Sequence, residues 1–67
     1  MKITVNKETL VCPDNIQLDS LLSRLDKIAL KGIAVSINNQ IIPKKVWPST
    51  PIKENDNITI ITATQGG

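Results

Sequence analysis

Residues 14–32 read DNIQLDSLLSRLDKIALKG, and the fold is decided here because the hydrophobic period changes inside this stretch. Leu18, Leu21, Leu22, Leu25, Ile28 and Ala29 fall at i, i+3, i+4, i+7, i+10 and i+11, an apolar stripe along one helical face. Asp19, Ser20, Ser23, Arg24, Asp26 and Lys27 take the opposite face. Gly32 stands just past the last periodic residue, where a left-handed residue is expected.

On both sides of this helix the period is two. In MKITVN, Ile3 and Val5 share one face and Lys2, Thr4 and Asn6 the other, the pattern of a half-buried strand. A polar link, Asn6 to Glu8, leads to TLVC and predicts a hairpin, which Pro13 ends because it has no N–H for the ladder. After the helix, IAVSINNQII gives a strand with Ile33, Val35 and Ile37 on one face. Asn38-Asn39 then makes a tight turn, and QIIP a short return strand. KKVWPSTPIKEND is an irregular crossover with two prolines and room for one helical turn around Lys44 to Trp47. NITIITAT is the last strand.

One helix and one set of strands can bury their apolar surfaces only against each other. The order strand, strand, helix, strand, short strand, crossover, strand resembles the ubiquitin-like β-grasp. The expected class is therefore α+β, a mixed sheet of four to five strands packed on one α-helix. Its first and last strands lie parallel in the centre. The expected domain spans residues 1–63, and residues 64–67 form a flexible C-terminal diglycine tail.

Composition excludes much chemistry. With 67 residues the chain buries only about 60% of its unfolded surface, leaving little room for an enclosed active site. Trp47 is the sole aromatic residue and there is no histidine, so the usual general base and commonest metal ligand are missing. Ser20, Ser23, Ser36 and Ser49 have no base to activate them, and the six carboxylates fall on the exposed helix face and in turns. No metal site and no bound cofactor are expected. Cys12, the single cysteine, cannot form an internal disulfide; it reads as a small packed hydrophobe, with a reactive role as the alternative. A net charge of +2, with Lys44-Lys45 isolated, gives no nucleic-acid footprint. No segment has the length of a membrane helix or the form of a signal peptide, which leads to an expectation of the cytoplasm, or an organelle stroma if organelle-encoded.

What remains is the main-chain terminus. Gly66 and Gly67 follow the last strand directly. At about 7% average glycine, a pair at a given place arises by chance about 0.5% of the time, so the pair alone is a weak motif. Behind a β-grasp strand it becomes a chemical one. A carboxylate is a poor electrophile until adenylation replaces its charged oxygen with a leaving group. The enzyme that does this must thread the terminus into a narrow channel, where glycine has no Cβ to obstruct and accepts any φ. From Thr64 through Gln65 and Gly66 to Gly67 an extended tail reaches about 13 Å.

Over almost its whole length the chain resembles the ThiS family of sulfur carriers. The resemblance rests on the opening hairpin with a cysteine near the end of its second strand, LDSLLSRL, AVSINNQIIPKKVW, the acidic turn, and the last strand with its diglycine. Asn39 and Asn55 stand where the family usually has glycine. The resemblance implies that a ThiF-type enzyme adenylates Gly67 with Mg-ATP. Sulfur originating from a cysteine desulfurase then makes a thiocarboxylate, and a ThiG-type thiazole synthase takes the sulfur for thiamine biosynthesis. It implies a protein co-substrate rather than an enzyme. The alternatives are a MoaD-like small subunit of molybdopterin synthase, a ubiquitin-like modifier or tRNA-thiolation carrier, and an interaction domain with an idle tail. A carrier also needs apolar surface beside its tail. Ile61, Ala63, Val46 and Trp47 are candidates, with Trp47 equally readable as a lid on the core.

Overall fold

The alternating N-terminus forms β1 (Lys2–Val5) and β2 (Glu8–Val11), joined through Asn6 and Lys7 at φ 50° and 70°. Two consecutive positive φ values make the tight turn whose twist matches that of the strands it joins. This is a computed structural model, and it describes residues 1–25 and 32–62. The chain continues with α1 (Leu18–Arg24), β3 (Ile33–Ile37), β4 (Gln40–Ile41), a 3-10 helix (Lys44–Ser49) and β5 (Asn57–Thr62). The sheet order is β2-β1-β5-β3-β4, with β1 and β5 parallel and the other pairs antiparallel. The expected mixed sheet on one helix is thus present, with five strands. The expected extension of the apolar stripe through Ile28 and Ala29, and the domain boundary at residue 63, lie outside the described residues.

Alternation assigns the two sheet faces. Ile3, Val5, Val35, Ile58 and Ile60 are buried against Leu18, Leu21 and Leu22 of α1. Leu18, Leu22 and Ile58 have no exposed surface, and burying each such side chain contributes roughly 1.5–3 kcal/mol. The first amide of α1 is satisfied from outside the helix: Leu18 N–H donates to the Thr50 carbonyl at 2.8 Å, and Ile52 N–H donates to the Ile16 carbonyl at 2.9 Å. These bonds tie the crossover to the start of the helix, and Ile16 and Ile52 are buried where they meet. Gly32 has φ 71°, the left-handed geometry expected of it.

Asparagine does the work of glycine at several turns. Asn38 and Asn39 have φ 52° and 69°, and Asn55 has φ 69°. Asn39 and Asn55 are the two departures from the family's glycines, and both adopt the geometry that glycine would supply. Asparagine is among the few non-glycine residues that visit this region routinely. Asn38 has a second task. Its side-chain Nδ2 donates to Asp56 Oδ1 at 3.1 Å, and its Oδ1 accepts Asn57 N–H at 3.0 Å. The other Asp56 oxygen accepts Lys53 N–H at 2.8 Å, so this buried carboxylate has hydrogen-bond partners at both oxygens. The β3–β4 turn is therefore bolted to the turn that launches β5.

Candidate functional site

From the sequence, the reactive group is expected on the continuation of β5, and the fold sets how that strand is held. β5 is the middle strand, flanked by β1 and β3. Its inward residues Ile58 and Ile60 anchor it in the core, while Thr59 and Ile61 alternate to the other side. At its start the Asn38–Asp56 contacts fix its position. Near its end Ile60 N–H donates to Asn6 Oδ1 at 2.8 Å. A strand tied at both ends is a rigid base from which to present a terminus. Thr64, Gln65, Gly66 and Gly67, assigned to threading and modification, lie outside the described residues, as does Ala63.

The candidate docking residues separate. Ile61 is 57% exposed on the sheet face away from the helix. Val46 is half-buried on the 3-10 helix, which packs against α1 in the opposite layer. The two therefore do not form one patch. Trp47, offered as contact surface or core lid, is core: it is 3% exposed, and its Nε1–H donates to the Ile42 carbonyl at 2.9 Å. With its ring buried and its only donor used internally, Trp47 is withdrawn from the list of contact residues.

The outward sheet face holds residues that the sequence reading passed over. Ala34 pairs directly with Ile61 across β3 and β5, and both are exposed. Ile41, 65% exposed, lies one strand farther on. The signal was present in the alternation of IAVSI, where Ile33, Val35 and Ile37 point inward and leave Ala34 and Ser36 outside. An open groove lined by Ile37, Asn38, Ile42, Lys53 and Asp56 sits where β5 begins, at the other end of the strand from the tail.

Cys12 is buried at 8% exposure behind β2. A thiol enclosed in this way is a packing group. Under the expected carrier role, Cys12→Ser should still load sulfur at the terminus, while losing about 1–2 kcal/mol of stability through a buried hydroxyl. Mass spectrometry with a urea melt checks both, and loss of sulfur loading in a folded variant would make the thiol a relay. Among the described residues no group of histidine, cysteine or carboxylate side chains is arranged to hold a metal ion. Among them also, no helix is long and apolar enough to cross a membrane.

Comparison with known proteins gives a consistent set of relatives. The ThiS family matches residues 1–67. The sulfur carrier protein ThiS of Escherichia coli (strain K12) is 30% identical over 67 residues, covering all of both chains. An uncharacterized protein, ycf40, of Porphyra purpurea is 34% identical over all of this chain and 93% of its own. In three dimensions the chain is similar to the crystal structure of a thiamine biosynthesis protein (ThiS) from Geobacter metallireducens. Here the TM-score is 0.87 at 22% identity, with both chains fully covered.

Proposed function

We propose, because this chain belongs to the ThiS family, that it is a sulfur carrier for thiamine biosynthesis whose chemistry occurs at the Gly67 carboxylate. A ThiF-type enzyme would bring that carboxylate to ATP. One carboxylate oxygen attacks the α-phosphorus, pyrophosphate leaves, and an acyl-adenylate forms. A sulfur nucleophile, drawn ultimately from a cysteine desulfurase, then displaces AMP and leaves a thiocarboxylate. A ThiG-type thiazole synthase accepts the sulfur, and the carboxylate is regenerated. The carrier supplies no catalytic side chain in this scheme and holds no cofactor of its own; ATP and Mg²⁺ belong to the activating enzyme. The cytoplasm or an organelle stroma would suit such a cycle.

The observation that carries this reading is the placement of the diglycine. Gly66 and Gly67 follow in sequence a central strand that runs to Thr62 with its core residues locked, five positions before Gly67. The body thereby becomes a handle and the last residues a probe. The exposed strip around Ile61 and Ala34 faces outward on the same strand and its neighbour, which suits it to contact a partner while the tail is engaged.

Intact-mass measurement tests the proposal. Incubation with the activating enzyme, ATP and a sulfur donor should add about 16 Da at Gly67, the exchange of one oxygen for sulfur. Isopeptide conjugates on target lysines would favour a modifier. Sulfur transfer to a molybdopterin synthase large subunit, in preference to thiazole synthase, would favour the MoaD-like alternative.

A further inference from the structure

The central strand outruns its parallel neighbour. β1 pairs with β5 only at Thr4–Asn57 and Val5–Ile58, whereas β3 follows β5 as far as Thr62. Asn38 N–H donates to the Asn57 carbonyl, so residues 57, 59 and 61 direct their main-chain groups toward β3. Residues 58, 60 and 62 direct theirs to the β1 side. There the Ile58 carbonyl accepts Asn6 N–H at 2.9 Å, and Ile60 N–H reaches Asn6 Oδ1 at 2.8 Å. The Asn6 side chain thus replaces the next carbonyl that β1 would have offered had it not turned. One step farther, the Ile60 carbonyl and Thr62 N–H face the same flank with no partner among the described residues.

A donor and an acceptor at strand spacing, without partners among the described residues, match the main chain of another extended segment. Location narrows the choice of ligand. Gly67 is five residues beyond Thr62, at most about 17 Å of extended chain. An enzyme that encloses the terminal carboxylate must bring its own walls alongside this end of β5. The other edges fit less well: β4 has two residues, and β2 begins with Glu8 directly after Lys7, charges of the type that discourage pairing.

We propose that the enzyme activating the C-terminus docks by strand addition, laying an extended segment against the Ile60–Thr62 flank of β5, with Asn6 marking where that segment must stop. The inference rests on the tail reading above and adds a main-chain contact to it.

Thr62→Pro tests the contact. It deletes the Thr62 N–H but spares the β3 ladder, because that amide points away from β3. Thr62→Val keeps the N–H and serves as the control. In ATP–pyrophosphate exchange catalysed by the activating enzyme, Thr62→Pro should raise the KM for the carrier about tenfold, the effect of one lost hydrogen bond, with kcat within about twofold. Thr62→Val should match the wild type. Amide exchange at Thr62 in the wild-type complex should slow at least about tenfold, and this measurement stands even if the proline variant folds poorly. An unchanged KM for a folded Thr62→Pro, or unslowed Thr62 exchange in the complex, overturns strand addition while leaving wild-type activation intact. No exchange activity with the wild type would remove the tail reading, and the inference with it.

Discussion

Removing Gly66 and Gly67 should abolish sulfur loading and leave the folded body intact. The chemistry is assigned to the last carboxylate, and shortening the chain by two residues withdraws that group by about 7 Å. The fold does not depend on the pair: the described core lies wholly within residues 3–60, so the truncated chain should melt within about 0.5 kcal/mol of the full one. Gly67→Ala is the finer variant. It keeps the length and adds one methyl group at the reacting centre, where a misplacement of about 1 Å can cost on the order of 10²-fold in rate. Pyrophosphate exchange and intact mass, read beside a denaturant melt, separate loss of chemistry from loss of structure. Thiolation of the truncated chain would end the proposal.

Trp47→Ala should leave little folded protein. Trp47 is the largest side chain and the sole aromatic residue of the core, packed among Ile16, Leu18, Ile52 and the rest of an aliphatic cluster. Truncating a buried tryptophan to alanine costs about 3–5 kcal/mol. At 0.05–0.15 kcal/mol per residue, a domain of this length has only about 3–10 kcal/mol in total. Trp47→Phe separates packing from polarity: it keeps an aromatic ring but leaves the Ile42 carbonyl without its donor, a loss of about 1–3 kcal/mol. Urea midpoints and circular dichroism check both variants. A Trp47→Ala protein of wild-type stability that failed only in partner binding would restore the tryptophan to the surface.

These two experiments address different kinds of knowledge. The tail reading came from the sequence alone, because it needs only residue types, and it lies outside the described residues. Trp47 was not legible, because a lone tryptophan in a proline-rich crossover fits a surface anchor as well as a lid. What settles it is the path of residues 42–52 beneath the sheet, where Ile42 presents a carbonyl to the indole. The same limit separated Val46 from Ile61. Both are apolar residues near plausible contact segments, but only the layering of the 3-10 helix on α1 shows that they face different sides.

The amino-acid sequence by itself determined the period-two and period-3.6 segments, and hence a sheet with one covering helix. It also determined the left-handed position at Gly32, and it left the main-chain terminus as the group expected to carry the chemistry. Each follows from local stereochemistry or from an inventory of functional groups. Only the tertiary structure decided that Asn6 reaches Ile60, 54 residues away, that Asn38 locks the carboxylate of Asp56, and that β5 continues past the end of β1. Those facts depend on which strands become neighbours and in what register. That choice is made by the whole core at once, because a shift of one residue would turn Ile58 and Ile60 out of it.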